Sequence, residues 1–265
     1  MTEPRPTEPL RSPLDAVHAA LGAGFTEFSG WRMPVSYSSD LAEHAAVRTA
    51  AGLFDLSHMA EIVVIGPRAG AVVDAAFADP TSGMEVGRAK YTLLLDADGG
   101  IVDDLIVYRT KPDRFLVVAN AGNRHVVADA VRAAVEAERA KGGDPSDVVD
   151  EDDSDEIALV ALQGPRAAAI LRQVDGVDIP GLDGLGYYRC TLGEFRGDGL
   201  LVARTGYTGE DGFELFVSPL AVHELWDAVL EAGAGSGLVP AGLAARDSLR
   251  LEAGMALYGH ESDQH

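Results

Sequence analysis

The sequence predicts an α+β protein, and three observations carry that expectation. Apolar runs of strand length, bounded by Gly, Pro or Asp clusters, alternate with Ala/Val-rich stretches of helical length. Two pairs of runs flank loops with turn chemistry, Asp96-Ala-Asp-Gly-Gly100 and Thr205-Gly-Tyr-Thr-Gly-Glu-Asp211, and read as hairpins. Strand, hairpin and helix recur on both sides of the acidic segment Lys141 to Asp155, so a two-fold pseudo-repeat is expected, although no short-period repeat is visible.

Taken in order, the first residues are Pro-rich and read as loose. Leu14 to Leu21 reads as a short helix stopped by Gly22-Ala-Gly24, and Asp40 to Ala51 as a second helix closed by Gly52. Glu61 to Gly66 is strand-like and Arg68 to Phe77 helical. Tyr91 to Leu95 and Ile101 to Tyr108 form the arms of the first hairpin, Arg114 to Ala119 adds a third strand, and Asn123 to Arg139 is a long helix. The charge run from Lys141 to Asp155 reads as an exposed loop or domain boundary whose acids form a solvated face. Glu156 to Leu162 is again a strand, and Gln163-Gly-Pro opens a helix with Pro165 near its first turn. Leu200 to Arg204 and Gly212 to Val217 are the arms of the second hairpin. Ala221 to Gly233 and Ala244 to Leu257 follow as helices, the latter carrying Arg246, Arg250 and Glu252.

With 265 residues and 47% hydrophobic composition, the chain can bury a substantial core as one large or two interlocked domains. No apolar run reaches the roughly 18 residues needed to span a bilayer, and the start Met1-Thr-Glu-Pro-Arg-Pro lacks the apolar core of a secretory signal. A cytoplasmic protein without a membrane partner is expected. The formal charge of −21 disfavours nucleic acid as a partner, because a polyanion would be repelled and no Lys/Arg run offsets this. The basic set comprises 18 Arg and 3 Lys. Such an acidic, Lys-poor surface suits a salt-rich interior, where a Debye length of about 3 Å at 1 M mutes self-repulsion; a GC-rich genome is the alternative source of the Arg preference.

The single cysteine, Cys190, allows no internal disulfide and no thiolate metal cluster, and reads as a buried inert thiol. Gly233-Ala-Gly-Ser-Gly237 lacks both G-x-G-x-x-G spacing and a following Lys-Ser/Thr, and reads as a helix stop. His260 and His265 are five apart and would not share a helical face, so no metal site is expected. No Gly-x-Ser-x-Gly elbow is present, and His58 reads as a packed or capping residue. The run from Lys90 to Tyr108 is the informative one. It sets Asp103 and Asp104 inside an apolar strand, where alternation points them to opposite faces. A buried carboxylate there needs a donor, a cation or a ligand.

Five segments together resemble the aminomethyltransferase (T-protein) of the glycine cleavage system, within the tetrahydrofolate-binding aminomethyltransferase family. They are Phe28-Ser-Gly-Trp-Arg-Met-Pro34, Gly52-Leu-Phe-Asp-Leu-Ser-His-Met59, Gly99-Gly-Ile-Val-Asp-Asp-Leu-Ile106, Arg204-Thr-Gly-Tyr-Thr-Gly-Glu-Asp-Gly-Phe-Glu214 and Ala245-Arg-Asp-Ser-Leu-Arg-Leu-Glu-Ala-Gly254. The resemblance implies two interlocked antiparallel-sheet-plus-helix domains, discontinuous in sequence: 1–58 with 153–260, and 59–152. Residues 261–265 would begin the connection to a C-terminal β-rich third domain, which this chain is expected to lack. The implied reaction transfers an aminomethyl group from the lipoylated carrier (H) protein to tetrahydrofolate, releasing ammonia and 5,10-methylenetetrahydrofolate. By motif, Asp104 matches the key carboxylate beside the pteridine, Glu214 the acid that hydrogen-bonds the ring, and Arg246 a substrate-contacting arginine. Tyr91, Tyr108, Asn120 and Tyr188 match the pocket wall.

These residue types suit the task. A carboxylate grips the amino-amide edge of a pteridine with two charge-assisted hydrogen bonds, aromatic walls cover its faces, and a fixed carboxylate stabilises iminium character during transfer. Two other readings are another tetrahydrofolate-dependent demethylase domain and a folate-binding fragment without activity. The folate-binding iron-sulfur assembly relatives place a Lys-Gly-Cys signature where this chain has Met255-Ala-Leu-Tyr-Gly-His-Glu261, which argues against that reading.

Overall fold

A computed structural model describes residues 8–263; the expected loose start, residues 1–7, and residues 264–265 lie outside the described residues. The chain opens with β1 (Leu10–Arg11), α1 (Asp15–Ala20), β2 (Gly24–Phe28), β3 (Trp31–Ser36), α2 (Asp40–Thr49) and β4 (Ala51–Asp55). Then follow β5 (Ala60–Ile65), α3 (Ala69–Ala76), β6 (Arg88–Leu95), β7 (Ile101–Lys111), β8 (Arg114–Ala119), α4 (Arg124–Ala140) and β9 (Val149–Asp152). The rest comprises β10 (Ala158–Gln163), α5 (Ala167–Leu171), β11 (Val177–Asp178), β12 (Cys190–Phe195), β13 (Asp198–Ala203), β14 (Gly212–Val217), α6 (Val222–Gly233), β15 (Leu238–Pro240) and α7 (Leu243–Glu252). The fold is mixed α+β, with three sheets among the described residues: β1-β3-β2, β11-β12-β13-β14-β10-β4-β15 and β6-β7-β8-β5-β9. No helix of the described residues is long and apolar enough to cross a membrane.

The chain divides into two compact units. One comprises residues 8–58, Ile157–Asp183 and Leu192–Met255; the other comprises Met59–Glu156, Gly184–Thr191 and residues 256–263. Residues 153–156, 184–191 and 256–260, expected in the first domain, and 261–263, expected in the connection beyond it, cluster instead with the second unit, each segment for a hydrogen-bonding reason. Residues 153–156 are held to β5, where Ser154 Oγ accepts from Glu61 N at 2.9 Å and Asp153 N donates to Glu61 O at 2.9 Å. Residues 184–191 pair with β6, with Ala89 N donating to Tyr188 O at 2.9 Å and Cys190 N to Gly87 O at 2.8 Å. Residues 256–263 meet β7 where Ile101 N donates to Asp263 O at 3.0 Å.

In the second unit the five-stranded sheet packs one face on helices. Ala60, Ile62 and Val64 of β5, Leu105 and Val107 of β7, and Phe115, Val117 and Ala119 of β8 share a core with Val72 and Val73 of α3 and Val127, Val131 and Val135 of α4. The α4 valines recur every four residues and so form one apolar stripe. Each such side chain stabilises the unit by about 1.5–3 kcal/mol on burial. The intervening strand residues, Glu61 and Val63 on β5 and Asp104, Ile106 and Tyr108 on β7, belong to the opposite face.

The acidic segment is more ordered than its composition suggests. Val149–Asp152 is the edge strand β9, antiparallel to β5 with Ile62 opposite Asp152, and Val148 before it is completely buried. Edge strands tolerate outward charge, which also discourages pairing with other chains.

A local repeat is built into the two units. Ile65-Gly66-Pro67-Arg68 after β5 and Gln163-Gly164-Pro165-Arg166 after β10 turn the chain into α3 and α5 in the same way. Gly66 N donates to Asp113 O at 2.8 Å and Gly164 N to Asp211 O at 2.7 Å, while Ala69 and Ala167 close on the glycine carbonyls at 2.9 and 3.0 Å. Both glycines need a positive φ, +122° and +132°, which a Cβ would strain.

The first unit contains a buried polar network. His18 Nε2 lies 2.8 Å from Asp55 Oδ2, Tyr37 Oη lies 2.8 Å from His18 Nδ1, and Ser57 N donates to Asp55 Oδ1 at 2.9 Å. Ser12 Oγ donates to the same carboxylate. Burial alone would raise Asp55, but the hydrogen bonds and charge of His18, with Ser12 and Ser57, hold it below the usual carboxylate range. Trp226, also fully buried, packs edge-on against His18 at 5.1 Å.

Candidate functional site

In the second unit, β7 carries the two adjacent carboxylates at a bulge. Leu94 of β6 pairs with Asp103 and Leu95 with Ile101, so Val102 is an extra residue. Asp103 has no exposed surface, whereas Asp104 is half-buried. Asp104 Oδ2 accepts from Tyr91 Oη at 3.1 Å and Oδ1 from Asn120 Nδ2 at 2.6 Å. Tyr91 sits on β6, with Ile106 as its cross-strand partner; Asn120 follows the last residue of β8. Asp104, Tyr91 and Asn120 are thus one hydrogen-bonded group.

Asp103 is gripped by the same asparagine. Its Oδ1 accepts from Asn120 Nδ2 and Asn123 Nδ2, both at 2.8 Å, and its Oδ2 from Asn120 N at 3.1 Å. Burial pushes the Asp103 carboxyl up to about 6 against the pull of Asn123 and Asn120, and the Asp104 charge adds to the rise. The strand alternation separates the two side chains by burial, yet they share one amide. Tyr108 is completely buried two residues beyond Ile106. Tyr188 takes a left-handed backbone (φ +57°) beside β6 and stacks edge-on with Tyr187 at 4.8 Å.

The first unit presents a second group. The loop between β13 and β14 is closed by Arg204, whose Nε and Nη2 each donate to Asp211 at 2.8 Å. From below it is held by buried Gln163, whose Nε2 donates to Thr205 O at 3.1 Å and whose Oε1 accepts from Thr208 Oγ1 at 2.9 Å. Gly206 lies so close to the Gln163 amide that a Cβ there would overlap it. This loop sets Thr205 to donate to Glu214 Oε2 and places Tyr207 under Arg246, whose Cζ stands 4.8 Å above the ring centroid.

Glu214 is 8% exposed. Arg246, on α7, has a sealed Nη1 without a hydrogen-bond partner. Burial lowers its guanidinium from the usual range, opposed by the charges of Glu214 and Tyr207. His58 is a neighbour of this group. Burial lowers it to about 4, with the Asp55 carboxylate opposing the fall and Arg246 adding to it, and its Nδ1 has no partner. A carboxylate, a stacked guanidinium and an aromatic ring together suit a flat, polar-edged heterocycle.

Of the residues expected at the site, Asp104, Tyr91 and Asn120 form one hydrogen-bonded group and Glu214 and Arg246 a second, charge-coupled one, one per unit. Asn123, Thr205 and Tyr207 join these groups although sequence reading set no expectation for them. The signals for Thr205 and Tyr207 lay within Arg204-Thr-Gly-Tyr-Thr-Gly, where a polar and an aromatic residue interrupt a glycine turn. Cys190 is buried, which raises its thiol to about 11 and accords with an inert residue. Among the described residues no group of three or more His, Cys, Asp or Glu is placed to hold a metal ion.

Comparison with known proteins bears on these groups. An aminomethyltransferase of Streptomyces avermitilis is 54% identical over 253 residues, covering 96% of this chain and 65% of that protein. One from Streptomyces coelicolor is 52% identical over 255 residues, covering 96% and 66%. The crystal structure of glycine cleavage system aminomethyltransferase T from Bartonella henselae superposes with a TM-score of 0.82 at 38% identity, over 95% of this chain and 64% of that one. Heterotetrameric sarcosine oxidase from Corynebacterium sp. U-96 shares the fold alone, with a TM-score of 0.55 at 17% identity over 86% of this chain and 97% of that one. This chain spans about two thirds of the length of the curated relatives it matches. Residues 14–265 match the family model described as GCVT N-terminal domain; by that match and by the fold it shares with the Bartonella structure, the chain belongs to the GCVT N-terminal domain family.

Proposed function

We propose that this chain binds tetrahydrofolate and acts in transfer of an aminomethyl group from the lipoylated carrier protein of the glycine cleavage system, with Asp104 as the catalytic carboxylate. The observation that carries the reading is the fixing of the half-buried Asp104 carboxylate between Tyr91 Oη and Asn120 Nδ2. A carboxylate tied at both oxygens pays little reorganisation when positive charge develops beside it.

In the transfer, the lipoyl sulfur–carbon bond and the carbon–nitrogen bond break, and the carbon forms bonds to N5 and N10 of the folate. The two folate N–H protons end on the lipoyl thiol and on the departing ammonia. Asp104 stabilises the iminium character on the one-carbon unit and orients the attacking nitrogen. Glu214, held by Thr205 Oγ1, is assigned to the pteridine amino-amide edge, and Arg246 to an acceptor group of the substrate. Tyr91, Tyr108 and Tyr188 are assigned to the walls.

The test is tetrahydrofolate-dependent ammonia release from aminomethylated carrier protein. Asp104→Asn is expected to keep folate binding and lose most turnover, a loss of about 100-fold or more for one preorganised charge. Normal turnover in that variant removes the catalytic assignment, and no turnover by the unsubstituted chain overturns the proposed activity.

A further inference from the structure

The shared amide of Asn120 ties Asp104 to a residue that the transfer chemistry does not use. A primary amide has two N–H groups, and here they serve three acceptors: Asp103 Oδ1 at 2.8 Å, Asp104 Oδ1 at 2.6 Å and Asp104 O at 3.0 Å. Asp103 also accepts from the Asn120 backbone N–H at 3.1 Å, so it holds that residue at two points. Asn123 completes the grip at 2.8 Å and is itself anchored to Val102 O at 3.0 Å.

We propose that Asp103 is a positioning residue, acting on Asp104 through the one Asn120 side-chain amide from which both carboxylates accept. The inference rests, for its functional meaning, on the reading of Asp104 as the transfer carboxylate. While Asp103 is charged it competes for the amide and repels Asp104. Once Asp103 is protonated, the amide turns more fully to Asp104 and the repulsion ends. Asp104 is then held more tightly.

The groups facing this pair are few. Asp104 is the adjacent charge on β7, and Tyr91 meets Asp104 from β6. Tyr258, from the 256–263 segment, bonds the Asn123 side chain and feels Asp103, Asp263 and Asp104. Asn120 and Asn123, from the turn before α4, are uncharged, and the Arg124 guanidinium that follows is engaged with Asp152 and Asp155. No cation among these competes with Asn120 for Asp103, so the neutral amide is the link through which its proton is felt.

The experiment is side-chain carboxyl 13C NMR of the ligand-free chain from pH 4 to 8, followed by calorimetric titration with 5-formyltetrahydrofolate across the same range. The proposal expects an inflection near pH 6 in both the Asp103 and the Asp104 resonances. In Asp103→Asn the Asp104 inflection should vanish, and the severalfold change of folate affinity across pH 5–7 should flatten. Should that variant not fold, Asn123→Ala removes a donor to Asp103 without touching Asp104, and both inflections should move up in pH together. An Asp104 resonance that ignores the Asp103 titration, or an inflection that moves for Asp103 alone, overturns the proposal. A shared inflection in a chain that binds no folate supports the coupling and overturns the folate reading.

Discussion

His58 offers a direct measure of how burial sets charge beside Arg246. Its ordinary pKa of 6.5 falls to about 4, because burial disfavours the imidazolium by more than the Asp55 carboxylate recovers, and Arg246 adds a smaller repulsion. At about 1.36 kcal/mol per pH unit, that fall corresponds to about 3 kcal/mol. The sign follows from the depressed value. Above pH 6.5 the ring is neutral in both folded and unfolded chains, and the contribution to stability is whole. As pH falls towards 4 the unfolded chain takes up a proton that the folded chain resists, and the contribution is lost. The perturbation is His58→Leu, which keeps bulk and removes both the titration and the unpartnered Nδ1. At pH 7 the variant should equal or exceed the parent in stability, since an unsatisfied buried polar atom costs about 1–3 kcal/mol. The assay is urea unfolding at pH 7, 6, 5 and 4.5, taking the difference between variant and parent so that other groups cancel. That difference should grow in the variant's favour by about 2–3 kcal/mol towards the acid end. Parallel curves would refute the reasoning.

Three further outcomes follow from the same physics. Asp55→Asn breaks the buried His18–Asp55 pair and should cost about 3–5 kcal/mol at pH 7 by urea unfolding; a cost under about 1 kcal/mol would mean the network is not an anchor. Glu61 is buried with both carboxyl oxygens unpartnered, and burial pushes it well above the usual range, so its contribution to stability is whole at low pH and lost as pH rises. Glu61→Met should accordingly gain about 1–3 kcal/mol at pH 8 and less at pH 4, measured by thermal melting. Gly206→Ala pushes a Cβ into the Gln163 amide and should cost about 1–3 kcal/mol, with folate binding weakened as the Thr205–Tyr207 loop shifts; unchanged melting and binding would show that the loop tolerates the displacement.

Much of the second unit was legible because its strands are apolar and its turns carry Asp and Gly. Arg114–Ala119 matches its reading end for end, and the long helix is displaced by one residue at each end. Strand β9 was hidden because its outward acids match a solvated loop, while the pairing that makes it a strand comes from β5, over eighty positions away. Strand β4 was hidden because Gly52 signals a helix stop locally, whereas in the fold it pairs with Gln163 and leaves room for Val47. The hairpin of β2 and β3 turns on Ser29 and Gly30, both at positive φ, a weaker hairpin signal than Asn-Gly. The last helix stops at Glu252 rather than Leu257, because Met255 N caps Arg250 O at 2.9 Å and Gly254 N caps Leu251 O at 3.0 Å. In the candidate site, strand alternation predicted that Asp103 and Asp104 differ in surroundings, as their burial shows, while the expectation for Asp104 itself came from the family resemblance. The coupling to Asp103 needed Asn120 and Asn123, whose positions depend on how the end of β8 enters α4.

Calorimetric titration of the chain with 5-formyltetrahydrofolate, beside Glu214→Ala and Asp104→Asn, tests the central claim most directly. The account predicts binding by the parent and by Asp104→Asn, and a loss of about 100-fold in Glu214→Ala, the scale of a charged hydrogen-bonding partner removed from a buried site. No binding by the parent, or equal binding by Glu214→Ala, would contradict it.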